Sequence, residues 1–237
     1  MNNRVTSGFN PNLFHPFFFV RKGLYKAIKK YAGELKGVLM DFGCGSKPYK
    51  ALFNVDQYIG VDYNGDGHSH EKEEIDVFYD GKTIPFPAAH FDAVFTSEVF
   101  EHLFNLEEIL PELNRVMKPK SKILITCPFV WNEHEVPNDY ARYTKFALKH
   151  LLEKHGFTIL TTNKSGTFIT TIFQMMVVYN VQYILPLFGF LMKISPIRFI
   201  LKFLFILLPN LTGTILNAVL PKKQDFYQNT IVLAEKN

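Results

Sequence analysis

One short stretch constrains the fold of this chain more than any other, the nine residues from Val38 to Ser46 that read VLMDFGCGS. A run of apolar residues ends in an acid and two closely spaced glycines, a pattern typical of a buried parallel strand that breaks into a tight loop. Glycine adopts positive φ without steric cost, and its missing Cβ lets a ligand approach the backbone closely. The stretch therefore predicts a ligand pocket at the carboxyl end of a first strand.

Strands and helices alternate after this loop. An amphipathic helix is predicted from Leu106 to Met117, and Pro119 ends it. Strands alternating with helices at this spacing indicate βαβ units and a parallel sheet with right-handed crossovers. Further strands are predicted at 58–63, 75–80, 91–97 and 122–127.

Composition excludes several classes of protein. At 237 residues the chain is long enough for one α/β domain with an elaboration, and its net charge of +4 is too small for a nucleic-acid-binding protein. Cys44 and Cys127 lack the paired spacing of a zinc site, so we expect reduced thiols, a cytoplasmic location and no metal. The first sixteen residues do not have the pattern of a secretory signal.

The acid that ends the second strand is the first candidate ligand. Asp62 follows the glycine loop by roughly twenty residues, where nucleotide-binding folds place the acid that binds the ribose hydroxyls. The alternative is a plain surface turn, because the turn-forming residues 64–67 follow immediately. The combination with the glycine loop favours the ribose ligand.

Four sequence blocks carry a resemblance to a known family: VLMDFGCGS, YIGVDY, FDAVFTSEVFEHL and LNRVMKPKSKILITCPF. In this order and spacing the chain resembles the class I S-adenosylmethionine-dependent methyltransferases, of the methyltransferase type 11-like subgroup, over residues 36–157 and 230–235. The resemblance implies S-adenosyl-L-methionine as cofactor. It also implies a Rossmann-like α/β fold, a mostly parallel sheet with an antiparallel last strand and helices on both faces. Lys120-Ser121 replace the glycine pair usual in the family, from which we expect a changed turn and retained function.

The resemblance also implies roles for individual residues. The first acid and the two glycines of the glycine loop would support the methionine end of the cofactor, Asp80 and Gly81 would lie at the adenine, and Ser97 and Glu98 would line the pocket floor. His102 would lie near the cofactor, although a capping or core role is an equal alternative. The full predicted cofactor-binding set is Asp41, Gly43, Cys44, Gly45, Asp62, Tyr63, Asp80, Gly81, Ser97, Glu98 and His102.

The loop after the fifth strand is rich in polar and aromatic residues, and loops at this edge of the sheet are where substrate meets cofactor. His134 is the predicted general base for a hydroxyl acceptor. An ion pair of Asp139 with Arg142 that only shapes the loop is an equal alternative for those two residues. The predicted substrate-binding residues are Glu133, Tyr140, Arg142 and Tyr143.

A hydrophobic helical insertion is predicted before the last strand, with uncharged runs at 167–192 and 203–220. Both runs are near the length that crosses a bilayer, but the linker between them is basic, which argues against a transmembrane hairpin from a cytoplasmic domain. The remaining alternatives are helices lying in the membrane interface, through 167–220, and a lid or homodimer surface.

We therefore expect a methyltransferase, with O-methylation of a sugar or a lipid-linked glycan precursor as the preferred reaction. The alternatives are a soluble small metabolite or quinone as acceptor, and a non-catalytic cofactor-binding scaffold or partner subunit. We expect it in the cytoplasm or peripherally at the inner face of the cell membrane. The predicted segments are an N-terminal helical cap (1–36), the cofactor-binding core (37–165), the insertion (166–223) and the last strand of the core (224–237).

Overall fold

The computed structural model of the chain describes residues 8–65 and 73–237. Its centre is a seven-stranded sheet in the order β3-β2-β1-β4-β5-β7-β6. Strands β1 to β5 pair in parallel with their neighbours, and the C-terminal strands are antiparallel. The strands are β1 (Val38–Phe42), β2 (Gln57–Tyr63), β3 (Val77–Tyr79), β4 (Phe91–Ser97), β5 (Met117–Pro128), β6 (Phe157–Ser165) and β7 (Asn229–Lys236).

The central strand β1 is buried because it lies between two neighbours in the sheet. Met40 pairs with Ile59 on β2 and with Val94 on β4, and both Met40 and Val94 are fully buried. Apolar runs without alternation are typical of parallel strands that are covered on both faces. The predicted first strand and its neighbours are confirmed.

Six α-helices are present in the described residues. The predicted amphipathic helix is α2, which ends at Val116, one residue before the predicted end, and buries its apolar face in the core. Helix α3 begins after Thr144, whose hydroxyl accepts a hydrogen bond from the Ala147 amide at 3.2 Å. The helices are α1 (Phe18–Tyr31), α2 (Leu106–Val116), α3 (Lys145–Lys154), α4 (Phe168–Tyr179), α5 (Ser195–Lys202) and α6 (Leu208–Val219).

The described chain forms two compact units. The sheet unit comprises 27–65, 73–163 and 230–237, and the helical unit comprises 8–26 and 164–229. The N-terminal residues 8–26 thus belong to the same unit as the predicted insertion. The sequence predicted a separate N-terminal cap (1–36), and its residues 1–7 lie outside the described residues. The four predicted segments stay a prediction.

The helical unit has a small apolar core and a set of buried amides. Val177, Leu185, Leu201 and Ile206 form the core. The fully buried Gln174 accepts hydrogen bonds from the amides of Phe19 and Val20 and donates to the Pro16 carbonyl at 2.7 Å. These bonds hold the N-terminal segment against α4.

The turn that departs from the family pattern contains a residue other than glycine with positive φ. Lys120 adopts φ +63°, the left-handed region that favours glycine. The predicted fold class, a Rossmann-like and mostly parallel sheet with an antiparallel last strand, is confirmed.

Candidate active site

The glycine loop lies at the carboxyl end of β1. The amides of Gly43 and Cys44 donate to the Val61 carbonyl on β2, at 2.8 and 3.3 Å. Gly43 has φ +72°, and a Cβ there would lie 2.3 Å from a methyl carbon of Val99. Any other residue at position 43 would be strained and would have to displace Val99, so the loop packs closely beside the segment that follows β4.

The predicted ribose ligand Asp62 lies against this loop. Its Oδ2 accepts the Gly45 amide at 2.7 Å, and its Oδ1 accepts the Tyr63 amide at 2.8 Å. The residue is only 7% exposed, so its orientation is fixed. An ionised carboxylate has about four acceptor positions, and two remain for a pair of ribose hydroxyls. The neighbouring turn residues 66 and 67 lie outside the described residues.

The acid of the glycine loop, Asp41, is buried at the end of β1. The Tyr58 hydroxyl donates to its Oδ2 at 2.5 Å. Burial raises the pKa of Asp41 to about 7, and the nearby Asp62 carboxylate adds to the rise. Burial also raises the pKa of the Cys44 thiol, which therefore stays protonated.

The predicted adenine-binding residues follow β3. Asp80 is exposed, and its Oδ1 accepts the amides of Lys82 and Thr83 at 2.9 and 2.7 Å, which lower the pKa of its carboxyl. Gly81 has φ +84°, and a Cβ there would lie 2.9 Å from the Tyr63 ring. This ring is 46% exposed, so an aromatic surface borders the predicted adenine position.

The predicted pocket floor joins the ends of β4 and β5. Thr126 donates its hydroxyl to Glu98 Oε1 at 2.8 Å, and its oxygen lies 2.8 Å from the hydroxyl of Ser97. Glu98 has φ +57°, in the left-handed region, and its amide donates to the Thr126 carbonyl at 3.0 Å. Residues held in this region carry backbone strain, which is often found at functional sites.

Three side chains meet just beyond this floor, and we call Glu101, His102 and His134 the acceptor cluster. Their ligand atoms lie within 4.8 Å of one another. The loop after β5 reaches the cluster because the amides of Tyr140 and Ala141 donate to the Glu101 carbonyl at 2.8 and 3.2 Å. The turn after β4 and the loop after β5 therefore form one continuous surface.

Glu101 is the buried member of this cluster. Its side chain is fully buried, and burial raises the pKa of its carboxyl, with the Glu98 carboxylate as the second cause. Burial lowers the pKa of His134, and the adjacent His102 ring lowers it further. A neutral imidazole at pH 7 is the form that can accept a proton. The assignment of His134 as general base stays a prediction.

The structure distributes the predicted substrate-binding residues between the surface and the loop interior. Arg142 donates to both Asp139 oxygens and to the carbonyls of Trp131 and Asn132, so it shapes the loop, as one of the sequence alternatives had it. Glu133 and Tyr140 are exposed. Tyr143 packs partly against the core.

Two features of the site were not predicted from the sequence. Glu101 was assigned no role, although an acid directly before a histidine at a strand end was the available signal. Lys47 was missed as well; its Nζ lies 2.7 Å from Asp76 Oδ2, and its chain passes where a Cβ on Gly60 would lie. A lysine and an aspartate 29 positions apart give no local pattern.

A shallow cavity of about 300 Å³ lies elsewhere, at the edge of the sheet where strands begin. Asp92 in its wall is paired with Lys118 and with the Val38 amide. Its lining includes none of the predicted site residues, so we give it no role in binding.

The residues at the carboxyl edge fit S-adenosyl-L-methionine. Positive-φ glycines leave the backbone open to close approach, and a buried acid at the end of β2 retains acceptor positions for a ribose. Asp62 and Tyr63 would hold the nucleoside, and the loop from Asp41 to Gly45 would hold the methionine end. When bound, the cofactor supplies a methyl group activated by a sulfonium sulfur.

A comparison with known families identifies a methyltransferase domain in part of the chain. Residues 40–125 match the family model described as a methyltransferase domain. No curated protein sequence matches the chain significantly.

Solved structures share the fold at low identity. A SAM-dependent methyltransferase from Archaeoglobus fulgidus is 21% identical, with a TM-score of 0.55 over 91% of this chain and 94% of that one. The Haemonchus contortus phosphoethanolamine N-methyltransferase 2, solved with S-adenosyl-L-methionine, is 17% identical, with a TM-score of 0.54 over 98% and 56%. The [4+2]-cyclase SpnF is 18% identical, with a TM-score of 0.53 over 91% and 81%. Because one of these is a cyclase, the fold alone does not define the reaction.

The match over residues 40–125 and the Rossmann-like fold make the sheet unit similar to a class I, S-adenosylmethionine-dependent methyltransferase domain. The family match adds the activity in general terms, S-adenosylmethionine-dependent methyl transfer, with S-adenosyl-L-methionine as the cofactor. The resemblance and the cofactor predicted from the sequence are confirmed, and the individual site residues stay predictions.

Proposed function

We propose that this protein transfers a methyl group from S-adenosyl-L-methionine to a hydroxyl of a lipid-linked glycan precursor while bound to the surface of an anionic membrane. The observation that carries this proposal is the exposed apolar surface of the helical unit. The proposal has two parts, the location of the acceptor in a membrane and the hydroxyl as the reacting group.

The helical unit exposes large apolar side chains that a soluble protein would bury. Two stretches, Phe168–Lys193 and Ser195–Val219, are long and apolar enough to cross a membrane, with mean hydropathies of 1.6 and 1.9. Only 17% and 28% of their most apolar windows are buried, so they are not core helices. Phe190 and Leu187 are 72% and 79% exposed.

The charges of this unit favour an anionic surface over a transmembrane path. No Asp or Glu lies between Glu153 and Asp225, whereas Lys193, Arg198 and Lys202 are exposed. In a transmembrane hairpin these three cations would lie on the side that the positive-inside rule disfavours. Helices lying in the headgroup region would instead place them against anionic lipids.

The acceptor cluster supports a hydroxyl as the reacting group. The acceptor oxygen forms a bond with the methyl carbon, the carbon–sulfur bond breaks with its electron pair going to sulfur, and the hydroxyl proton passes to a base. A carboxylate acceptor would need no base, but a sugar hydroxyl does. The buried carboxyl and the two imidazoles at the pocket edge provide such groups, with His134 as the predicted proton acceptor.

Radiolabelled S-adenosyl-L-methionine, incubated with the purified protein and a membrane-containing cell extract, tests the proposal. The products are separated into organic-soluble, glycan and small-molecule fractions, with Asp62→Ala protein as the matched control. We expect label in the organic phase that mild acid hydrolysis releases as a methylated, water-soluble glycan.

Each other result contradicts a stated part of the proposal. Label only in aqueous fractions would exclude the lipid-linked acceptor and favour a soluble sugar or metabolite as the acceptor. The helical insertion would then be a lid over the site. Label that stays organic-soluble after hydrolysis would favour a quinone or another lipid. Bound cofactor without transfer to any fraction would favour a cofactor-binding scaffold.

A further inference from the structure

We propose that the acceptor cluster is a binding site for one divalent transition-metal ion of the Zn²⁺ type, with Glu101, His102 and His134 as its protein ligands. This inference deepens the proposed function, on which its catalytic consequence rests, but metal binding itself does not depend on the acceptor. It also revises the sequence-based expectation that the chain has no metal site.

The first observation is the convergence of three ligand atoms. Nε2 of His102 lies 3.8 Å from Glu101 Oε1, and Nε2 of His134 lies 4.0 Å from the same oxygen. Ligands of a tetrahedral zinc ion with bonds of about 2.1 Å lie about 3.4 Å apart. Both separations exceed this value by about half an ångström, and all three ligand atoms lie within 4.8 Å of one another, so side-chain rotations would bring them to the spacing of a shared ion.

The second observation is the buried oxygen at the centre of the cluster. Glu101 is completely buried, and its Oε2 accepts a weak hydrogen bond from the Cys127 thiol at 3.8 Å. Its Oε1 accepts no hydrogen bond from any described residue. A buried acceptor without a partner costs free energy, so such an atom is expected to have a ligand. This oxygen faces the two imidazoles.

The third observation is the orientation of the two histidine rings. Nδ1 of His102 lies 2.6 Å from the Asn138 carbonyl, which accepts only if Nδ1 carries the proton. Nδ1 of His134 lies 3.2 Å from Asp139 Oδ2, but the geometry is not that of a hydrogen bond. The negative charge of this carboxylate nevertheless favours a proton on Nδ1 of His134. Both Nε2 atoms then present a lone pair towards Glu101.

This arrangement is the usual one for histidines that bind metals. Such rings donate their second N–H to a carbonyl or a carboxylate, which fixes the tautomer and raises the basicity of the ligating nitrogen. Asp139 is itself held by Arg142 at 2.5 and 2.7 Å. Two imidazoles and one carboxylate suit Zn²⁺ and related first-row ions better than Mg²⁺ or Ca²⁺, which prefer oxygen.

The position of the cluster connects the ion to the reaction. Val99, two residues before Glu101, packs where a Cβ on Gly43 would lie, so the cluster borders the glycine loop. A three-ligand site keeps a coordination position open, and an ion lowers the pKa of an oxygen bound there. An acceptor hydroxyl at that position would release its proton to water before its oxygen attacks the methyl carbon. His134 would then act as a ligand and not as the base.

The test measures metal binding directly, on tag-free full-length protein after treatment with a chelator. Zn²⁺ is titrated calorimetrically, and Co²⁺ is added separately to record the visible absorption bands of a tetrahedral site. Glu101→Gln and His134→Gln each remove one ligand, and His150→Gln removes an exposed histidine on α3 as the matched control. Circular dichroism and thermal unfolding without metal show whether each variant is folded.

We expect the wild-type protein and the His150→Gln variant to bind one Zn²⁺ per chain and to give the Co²⁺ bands. Each ligand variant should lose at least a hundredfold in Zn²⁺ affinity and should lose the bands and the rise in melting temperature on addition of Zn²⁺. Equal binding by wild type and either ligand variant, or no stoichiometric binding by wild type, would overturn the site. An Asp62→Ala variant should still bind Zn²⁺, so a failure of methyl transfer is distinguishable from a failure of this inference.

Discussion

The sheet unit and the helical unit differ in how much of their apolar side-chain surface is buried. In the sheet unit the large side chains of the strands and of α2 form one buried core. In the helical unit one small cluster of four buried apolar residues is found on α4, α5 and the segments between the helices, and most of the exposed large apolar side chains of the described chain belong to this unit. Burial of apolar surface drives folding and stabilises the sheet unit, whereas the exposed apolar side chains of the helical unit fit the membrane contact proposed above.

Polar side chains show the same difference. In the helical unit buried amides such as Gln174 tie one segment of backbone to another. In the sheet unit the buried acids Asp41, Asp62 and Glu101 lie together at the carboxyl edge, where Asp62 keeps acceptor positions for a ligand and Glu101 Oε1 accepts no hydrogen bond from any described residue. This difference fits the roles proposed above, with binding and chemistry in the sheet unit and membrane contact in the helical unit. The predictions below separate these two roles.

The largest expected effect concerns the cofactor. Asp62→Ala removes an acceptor that we place on both ribose hydroxyls, and hydrogen bonds to a charged group contribute about 1.5–3 kcal/mol each. Cofactor affinity measured by titration calorimetry should fall by roughly a hundredfold to ten-thousandfold. Binding to anionic vesicles should not change, because it belongs to the other unit. Unchanged cofactor affinity in a folded variant would refute the ribose assignment.

Two phenylalanines, one buried in the sheet unit and one exposed in the helical unit, test whether apolar side chains stabilise the two units differently. Phe157, at the start of β6, is 1% exposed, and Phe157→Ala should lower the free energy of unfolding by about 3–5 kcal/mol. Phe190 is 72% exposed, and Phe190→Ala should change it by less than about 0.5 kcal/mol. Urea unfolding monitored by circular dichroism gives both values. A large loss for Phe190→Ala would mean that its ring is buried by a second copy of the chain.

The basic residues of the helical unit should determine its affinity for anionic lipid. Each Lys or Arg near such a surface contributes about 1 kcal/mol, so a Lys193→Gln, Arg198→Gln, Lys202→Gln triple variant should bind vesicles containing phosphatidylserine roughly a hundredfold more weakly. Lys29→Gln, Lys30→Gln, Lys36→Gln is the control with the same loss of charge in the sheet unit. Equal vesicle flotation by the wild type and the triple variant, or resistance of the bound protein to carbonate extraction, would contradict peripheral binding.

The sequence predicted the fold of the sheet unit well because its signals are local. The glycine loop, the apolar strands and the periodicity of α2 each lie within a dozen residues, and they place Asp62 and the loop at the carboxyl edge. The acceptor cluster could not be predicted in this way, because it joins Glu101 to His134 across two strand ends and a loop held by backbone hydrogen bonds. The same holds for the N-terminal segment in the helical unit, which depends on Gln174 far along the chain.

The last prediction concerns the pH dependence of stability in the sheet unit. Burial raises the pKa of Asp41 to about 7, above the value near 3.8 of an exposed aspartate. Between these values the folded state keeps a proton that the unfolded state has lost, so this group stabilises the fold below about pH 4 and loses that contribution as the pH rises to about 7. One such group gives a slope of at most about 1.4 kcal/mol per pH unit. Asp41→Asn keeps an acceptor for the Tyr58 hydroxyl but cannot ionise, so its unfolding free energy, measured from pH 4 to pH 8, should fall less steeply than that of the wild type. Parallel curves would mean that Asp41 is ionised in the folded protein and that its charge is stabilised within the glycine loop.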